Sequence, residues 1–417
     1  MSKTIIIIGA GLAGLSAALQ AAENGCNVKL VSSLPSERAQ SVMAEGGINA
    51  ALNTKDENDS PEEHFTDTIK AACGLADPNA VWGMTQAAPE LVHWLLKLGV
   101  KFNMSGYDDV DLRNFGGQKK KRTAFAQSDT GKQIMTAMID AVRRKEASGM
   151  VERFSHHSFL TLRLCDNICC GCVIRDEYSQ ETVELPGDAV IVATGGMHGL
   201  FGNTTGSLSN TGEVTAELFR LGVPLANGEM IQYHPTTVKC GGKRMLISEA
   251  ARGEGGRLFA MKDGKQWYFM EEKYPELGNL MPRDITAREI WKVSHGSEVF
   301  LDMTEISDEI ISNKLSGLAD DCMTYLHKDI RKEPVSVLPG IHYFMGGILV
   351  DEQHRTPIQN LYAAGECCAQ YHGANRLGGN SLLGALYGGR VAAKSACEQA
   401  DVVDLSCATQ IDFPPAS

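Results

Sequence analysis

The sequence lacks any run of apolar residues long enough to cross a lipid bilayer, which argues against a membrane-spanning chain. It is also short of basic residues. There are 39 Lys and Arg against 51 Asp and Glu, and the resulting net charge of −12 argues against nucleic acid as the main partner. The N-terminal apolar run is too short for a secretory signal. Without such a signal, the 12 cysteines predict reduced thiols and a cytoplasmic protein.

Glycine, by contrast, is abundant. The chain has 43 glycines among 417 residues, above the usual share of ~7%. Many of them stand in pairs, which predicts several places where the backbone closely approaches a ligand. A chain of this length is expected to hold two or three domains.

The first thirty-odd residues organise the chain. A continuous β-branched run comes first, then a turn that contains Gly9, Gly11 and Gly14, then a helix-like run and a second apolar run. Gly9 makes the turn, Gly11 lets the backbone approach a pyrophosphate, and Gly14 lets helix and strand pack closely. The helix N-terminus would face the phosphates with free N–H groups. The pattern therefore predicts a dinucleotide-binding strand–helix–strand unit.

The second predicted strand ends in Ser32, where a nicotinamide-binding fold usually carries Asp or Glu for the ribose hydroxyls. This favours a flavoprotein variant in which Ser32 contacts the ribose. Further along, Gly46 and Gly47 follow a polar loop and would let a flat ring or a phosphate lie against the backbone. A simple loop turn is the alternative interpretation of this pair.

Two more segments, 188–196 and 361–366, are predicted to be buried-type strands that end in glycine turns. Glu366 is the last residue of the second and could accept hydrogen bonds from a sugar or ribitol chain. These pieces lie far apart in sequence but are expected to join one sheet, so the cofactor domain is predicted to be discontinuous. The segment of about 228–340 would then be an inserted cap.

Two other patterns favour structural roles. The basic run at 119–122 is interpreted as a solvated surface. The stretch from Leu160 to Ile174 alternates like a β-hairpin that turns near Asp166 and Asn167. The spacing of its cysteines matches neither the common zinc pattern nor the common iron–sulfur patterns, so no metal site is predicted there. These cysteines are Cys165, Cys169, Cys170 and Cys172.

Four clusters at glycine-rich turns carry unusual polar chemistry. Glu249 and Arg252 are spaced i, i+3, so on a helical turn they would lie on one face and could pair. A single His or Arg in such a position is more often structural, but four clusters in one chain indicate a reactive site. The clusters are 232–236, 248–256, 282–284, and His342 together with 372–376.

Together these motifs resemble the flavoprotein subunit of the succinate dehydrogenase/fumarate reductase family, a relative of L-aspartate oxidase. The resemblance runs from Lys3 to about Ala393. It implies an α/β fold, with a discontinuous, Rossmann-like FAD-binding domain, an inserted α+β capping domain, and the C-terminal helical domain of the family absent. The expected boundaries are 1–228 and 341–397 for the FAD-binding domain, 229–340 for the capping domain and 398–417 for a C-terminal tail.

The resemblance also assigns the site. Arg283 matches the catalytic arginine, and Glu249 and Arg252 match the proton relay. The two carboxylates of a C4 dicarboxylate would be held by His234, Ser248, His342 and Arg376. Glu366, Ser381 and Leu382 match FAD contacts, and Glu213 stands where many members have Asp. With the glycine turns and their neighbours, the expected cofactor-binding set is Gly9, Gly11, Gly14, Ser32, Ser41, Glu45, Gly46, Gly47, Thr194, Gly195, Glu213, Gly365, Glu366, Ser381 and Leu382.

The implied activity is hydride transfer from reduced FAD to fumarate, giving succinate. Clamping both carboxylates would orient the double bond and polarise it. The family proposal makes an arginine the proton donor, yet arginine resists deprotonation. Arg283 is therefore interpreted either as the donor or as chiefly electrostatic, with the proton delivered along Glu249 and Arg252.

Two departures from the family affect this expectation. Gln40 stands where many members carry the histidine that links FAD covalently, so the resemblance implies non-covalent FAD and fumarate reduction in preference to succinate oxidation. Phe115 lies at the substrate-binding position where L-aspartate oxidases carry a Glu for the substrate amino group. Because Phe cannot pair with an ammonium in that way, a plain dicarboxylate is favoured over aspartate.

Several alternatives stay open at this point. The chain could be an L-aspartate oxidase, a reductase of another unsaturated carboxylate, or a non-catalytic flavoprotein subunit. Family members in respiratory complexes continue into further C-terminal segments, whereas here only Cys397 to Ser417 follow the last motif. A stand-alone reductase, a subunit with an iron–sulfur or other electron-transfer partner, and a fragment are all compatible with this length.

Overall fold

A five-stranded parallel sheet lies at the centre of the computed structural model, which describes residues 2–401. Twenty strands occur in this part of the chain. In chain order they are β1 (Thr4–Ile8), β2 (Asn27–Ser32), β3 (Ile48–Asn49), β4 (Leu112–Arg113), β5 (Thr123–Ala124), β6 (Val151–Ser155), β7 (His157–Cys165), β8 (Ile168–Asp176), β9 (Thr182–Pro186), β10 (Ala189–Val192), β11 (Leu225–Ala226), β12 (Ile231–Cys240), β13 (Lys243–Leu246), β14 (Arg257–Lys262), β15 (Lys265–Trp267), β16 (Val299–Asp302), β17 (Val335–Ser336), β18 (Leu338–Phe344), β19 (Gly347–Ile348) and β20 (Leu361–Ala363).

The same residues form eleven α-helices. They are α1 (Leu12–Glu23), α2 (Pro61–Ala72), α3 (Pro78–Leu98), α4 (Thr130–Ala147), α5 (Glu213–Arg220), α6 (Glu249–Gly253), α7 (Phe269–Lys273), α8 (Arg283–Ser294), α9 (Asp308–Lys314), α10 (Ser316–Asp321) and α11 (Asn380–Gln399). Short 3₁₀ turns lie at Ser36–Arg38, Gln40–Met43, His198–Leu200, Gly278–Leu280 and Gly365–Cys367, and a π turn lies at Cys322–Leu326. Within the described residues, no helix is both long enough and apolar enough to pass through a membrane.

The central sheet has the order β20-β10-β1-β2-β6. Ile5 to Ile8 on β1 are almost fully buried, because parallel strands in the middle of a sheet are covered on both faces. The prediction that three sequence-distant strands share one sheet is confirmed, since β1 pairs with β10 and β10 pairs with β20. The predicted helix after the glycine turn is also present, but it begins earlier, directly after Gly11.

Close helix–strand packing explains Gly14. A Cβ atom added there would lie 1.9 Å from the carbonyl oxygen of Gly9, so any side chain would force α1 away from β1. The predicted hairpin is likewise confirmed, with β7 and β8 joined at Asp166 and Asn167, both of which have positive φ. No group of three or more potential metal-ligating side chains is found among residues 2–401.

Buried apolar residues form two large cores around the central sheet and a third core elsewhere. One sheet face packs against α1, α3, α4 and α11, and the other packs against the sheet β7-β8-β9 and α5. The third core is built from residues between Ile247 and Val337, with Phe115 as its one member from outside that segment. Phe115 thus connects the third core to the segment around Gly46, which it contacts.

Two expectations are wrong in detail. The basic run at 119–122 is not a uniformly solvated surface, because Arg122 is fully buried and its Nη2 lies 2.8 Å from Asp59 and 3.1 Å from Asp67. The two carboxylates compensate the buried charge. The tail expected from residue 398 begins too early, since α11 continues to Gln399. Its remainder, 402–417, lies outside the described residues.

We predict that Arg122→Ala lowers the free energy of unfolding by about 3–5 kcal/mol, because it leaves two buried carboxylates without their cation. Chemical denaturation followed by tryptophan fluorescence measures this loss. The matched control is Arg143→Ala, which removes the exposed pair with Glu37 and should cost about 0–1 kcal/mol. Equal losses in the two variants would contradict a stabilising role for the buried group.

Candidate active site

A long cleft of about 1980 Å³, including its open mouth, runs along the carboxyl ends of β1, β2 and β10. Ligands bind at this edge of parallel α/β sheets. The walls of the cleft include residues of the glycine turns and residues of all four polar clusters. The predicted site residues that line it are Gly9, Gly11, Ser32, Ser41, Glu45, Gly46, Gly47, Phe115, Thr194, Gly195, Glu213, His234, Ser248, Glu249, Arg283, His342, Gly365, Glu366, Arg376, Ser381 and Leu382.

One end of the cleft has the features of a dinucleotide site. Helix α1 begins there after Gly11, which has no side chain to cap it. The N–H of Leu12 donates to Ser41 Oγ at 3.3 Å, and the positive end of the helix dipole favours phosphates at this position. Gly9 has φ of +113°, and a Cβ atom on it would lie 2.3 Å from the oxygen of Ala193. A Cβ atom on Gly11 would be in ordinary van der Waals contact with Ser41 Oγ, at 3.7 Å.

Unpartnered polar atoms mark where a cofactor would bind. Ser32 Oγ and Glu45 Oε2 are buried and have no hydrogen-bond partner in the described part of the chain. Burial, reinforced by the charge of Asp321, raises the pKa of Glu45 to about 8. Helix α11 also begins at the cleft without a side-chain cap, where Ser381 and Leu382 line the wall. These groups fit the ribose, ring and phosphate parts of FAD.

Glu366 holds the middle of the cleft together. Its Oε1 accepts hydrogen bonds from the backbone N–H of Phe344 at 3.0 Å and lies 3.1 Å from His198 Nε2. The carboxylate follows β20 directly, so the end of that strand is tied to β18. Glu366 thus lies at the edge of the central sheet, where it can contact a ligand in the cleft.

Glu249 is at the centre of the other end. Its Oε2 lies 2.8 Å from Arg283 Nε and 2.7 Å from Arg283 Nη2, and its Oε1 lies 3.3 Å from Arg252 Nη2. The N–H of Gly116 donates to Oε1 at 3.0 Å. Burial opposes the negative charge, but Arg283 and Arg252 outweigh it and hold the pKa of Glu249 below its usual value.

Arg376 presents an uncompensated cation to the cleft. Its guanidinium lies 4.3 Å from the ring centre of Tyr343, its Nε has no partner among residues 2–401, and its Nη1 donates to the oxygen of Leu377 at 3.3 Å. Burial and the nearby charge of Arg283 lower the pKa of Arg376 to about 9, so it stays charged at neutral pH.

Two neutral histidines face this pair of arginines. The rings of His234 and His342 lie 5.0 Å apart. Burial and the neighbouring cations keep the pKa of each well below its usual value. Ser248 caps α6 by accepting from the N–H of Ala250 at 3.4 Å, and Phe115 lies beside Gly46. The arrangement provides hydrogen-bond donors and positive charge for an anion, with Glu249 already paired to Arg283.

Two predicted site residues do not line the cleft. Gly14 packs against Gly9 behind it, and Arg252 lies behind Glu249, 2% exposed, with its Nη1 donating to the oxygen of Asn279 at 2.6 Å. In α6 Glu249 and Arg252 share a face, as their spacing predicts. His372, from the last polar cluster, packs on Tyr343 instead of lining the wall.

Gln232 belongs to a predicted polar cluster, but no role was predicted for it. Its Oε1 accepts from Arg283 Nη1 at 3.1 Å, and its Nε2 donates to the oxygen of Arg376 at 2.7 Å. Gln232 therefore joins the two arginines that face the cleft. The signal was available, since Gln232 precedes His234 by two residues on β12 and so lies on the same strand face.

Comparison with known proteins agrees with this geometry. The family model described as an FAD binding domain matches residues 4–382. The succinate dehydrogenase flavoprotein subunit of Bacillus subtilis is 44% identical over 413 residues, which covers 97% of this chain and 70% of that protein. The L-aspartate oxidase of Streptomyces coelicolor is 35% identical over 94% of this chain and 68% of its own length.

Solved structures give the same result. A mutant of the E. coli quinol fumarate reductase subunit FrdA superposes with a TM-score of 0.90 at 30% identity, covering 98% of this chain and 72% of that one. The mixed α/β fold and the expected FAD cofactor are thereby confirmed at the level of the family. The chain belongs to the family of FAD-dependent oxidoreductases that contains the flavoprotein subunits of succinate dehydrogenase and fumarate reductase.

Proposed function

We propose that the chain reduces fumarate to succinate, with bound FAD as the hydride source. The observation that carries this proposal is the pair Arg283 and Arg376, joined by Gln232, at one end of a cleft whose other end fits a dinucleotide. Guanidinium groups are the best bidentate partners for carboxylates. Two of them, with two neutral histidines, match a small molecule that carries two carboxylates.

The residues of the cleft would act on the substrate mainly by charge and position. His234, Ser248, His342 and Arg376 would hold the carboxylates and fix the orientation of the double bond. Holding reacting groups in place and stabilising developing negative charge are the two largest contributions available to such a site. Phe115 offers no group for a substrate ammonium, which favours a plain dicarboxylate over aspartate.

A proton must also reach the carbon that does not receive the hydride. Arg283 faces the cleft and is bonded to Glu249, which is bonded in turn to Arg252. We propose that these three residues form the proton relay. Arg283 either donates the proton itself or mainly stabilises charge, and a substitution series separates the two roles.

We further propose that FAD is held without a covalent bond and that fumarate reduction is the favoured direction. Gln40, which lines the cleft, has no nucleophilic ring nitrogen for a link to the flavin. Loss of that link lowers the flavin potential in the family, which favours reduction of the substrate. The named relatives include proteins of either direction, so this part of the proposal depends on Gln40 alone.

The domain division and the partners are proposed as well. The separate core between Ile247 and Val337 supports a capping domain at 229–340, inserted into an FAD-binding domain at 1–228 and 341–397. The electrons for FAD would come from an iron–sulfur or other electron-transfer partner. The sequence spans about 70% of the length of the Bacillus subtilis relative.

The proposed activity is tested by anaerobic oxidation of a reduced viologen dye by the FAD-loaded protein. We expect oxidation that depends on fumarate and is not supported by crotonate, which has one carboxylate. A separate run supplies L-aspartate and oxygen and should give no peroxide. Peroxide from aspartate with no response to fumarate would instead identify an L-aspartate oxidase, and crotonate reduction would indicate another unsaturated carboxylate.

We predict that Arg283→Gln lowers kcat for fumarate by about 10²–10³-fold, because it removes the positive charge that stabilises the transition state. Arg283→Lys keeps a charge but loses the bidentate contact to Glu249, so it should retain more activity. Steady-state viologen assays measure both, with the exposed Arg288→Gln on the same helix as the control. A Gln variant that kept most of the turnover would refute the donor role.

We predict that acid precipitation releases the flavin into the supernatant, since Gln40 provides no covalent anchor. Absorbance of the supernatant and of the washed pellet measures how the flavin is distributed between them. The Gln40→His variant tests covalent attachment from the other side, because it places at residue 40 the histidine that many family members use to link FAD. Yellow colour that stays with the wild-type pellet would contradict non-covalent binding.

A further inference from the structure

Thr205 is a residue outside the cleft wall that contacts one of the site histidines. Its Oγ1 lies 2.7 Å from His342 Nδ1. Thr205 is 7% exposed and lies in the segment between the central sheet and α5, whereas His342 lies on β18. Neither sequence motif nor spacing connects the two residues, so only the fold brings them together.

The backbone fixes Thr205 against β18. Its N–H donates to the oxygen of Ile341 at 2.9 Å, and the N–H of Ile341 donates to the oxygen of Asn203 at 3.0 Å. Thr204 and Ile341 also form a parallel β-bridge. The threonine hydroxyl is therefore placed by main-chain hydrogen bonds, and His342 directly follows Ile341, which takes part in both of them.

The hydroxyl proton has one good acceptor. Its other neighbour is the oxygen of Ile341 at 3.5 Å, which is at the limit of hydrogen bonding and already accepts the N–H of Thr205. The 2.7 Å contact to Nδ1 of His342 is a normal length for a hydroxyl donor. Donation from the hydroxyl to Nδ1 is thus the favoured arrangement.

The state of the His342 ring then follows. A neutral imidazole has one N–H and one acceptor nitrogen. Burial, together with His234 and the cations Arg283 and Arg376, holds the pKa of His342 well below its usual value, so the ring is neutral at pH 7. If Nδ1 accepts, the proton must be on Nε2, and no described residue engages that atom in a hydrogen bond.

We propose that Thr205 is a positioning residue that sets the tautomer of His342, so that Nε2–H is available as a donor to a substrate carboxylate. This inference deepens the proposed function and rests on it for the identity of the ligand. With the opposite tautomer, Nε2 would present a lone pair to the carboxylate and repel it. Thr205 would thereby contribute to dicarboxylate binding without touching the substrate.

The tautomer is measured directly by ¹⁵N NMR of histidine-labelled protein, in which the protonated and unprotonated ring nitrogens have distinct shifts. The chain has 11 histidines, so the His342 signals are assigned by comparison with His342→Gln. We expect Nε2 of His342 to carry the proton in the wild type. A proton on Nδ1 would overturn the inference, whatever the substrate is.

The consequence for binding is tested with Thr205→Val, which keeps the β-branch and removes the hydroxyl. We expect the Kd for malonate, followed by perturbation of the flavin spectrum, to rise about tenfold, or ~1.4 kcal/mol. The KM for fumarate should rise with it while kcat changes less. Thr205→Ser keeps the hydroxyl and should stay within about twofold of the wild type, because the hydrogen bond to Nδ1 can still form.

The matched control is Thr356→Val, since Thr356 is 8% exposed and its hydroxyl donates to the backbone oxygen of Ile358 and not to a site residue. Its malonate Kd should be unchanged. A Thr205→Val protein that binds malonate as tightly as the wild type would refute the role of Thr205. A wild type that neither binds malonate nor reduces fumarate would refute the proposed function, and the ring spectrum would still decide the tautomer.

Discussion

The hydrogen bonds and ion pairs of Glu249 hold the reactive end of the cleft together. Arg252, Arg283 and Arg376 are all buried, and Glu249 pairs with the first two. The four formal charges sum to +2, which a molecule with two carboxylates would balance. Burying that positive charge without a ligand is costly, so the free energy gained on binding a dianion includes relief of repulsion between the arginines.

The members of the cluster come from different parts of the chain and are joined by direct contacts. Arg283 begins α8, Glu249 begins α6, and Gly116 donates its N–H from a loop after β4. Gly378 fits between them, since a Cβ atom on it would lie 2.6 Å from Phe115 and 2.9 Å from Glu249 Oε2. Reactive groups fixed in this way require little reorganisation when a substrate binds.

Local patterns in the sequence predicted the strands, helices and turns that are determined by residues close together in the chain. The apolar run before Gly9, the glycine turn and the hairpin at Asp166 have strong periodicity or turn chemistry, and each is present. Arg122 was misjudged because its neighbours in sequence are exposed lysines, while its partners Asp59 and Asp67 lie more than fifty residues earlier. Of the predicted site residues, all except Gly14 and Arg252 line the cleft.

The remaining site contacts could not be predicted from the sequence, because they also join residues that are far apart in the chain. Gln232 bonds to Arg283, and Thr205 bonds to His342, over sequence separations of 51 and 137 residues. No periodicity or motif encodes such pairs, because they depend on how the central sheet and the third core are placed relative to each other. Burial and hydrogen-bond geometry in the folded chain are what identify them.

The position of β1 has a consequence for synthesis of the chain on the ribosome. β1 is complete at Ile8, but its partner β10 begins about 180 residues later, and α11, which packs on α1, begins at Asn380. At roughly 5–20 residues per second, the first strand waits some 10–40 s for β10 and longer for α11. During that interval β1, four of whose five residues are isoleucine, lacks the neighbour that covers one of its edges, so the backbone groups on that side stay unpaired until β10 has been made.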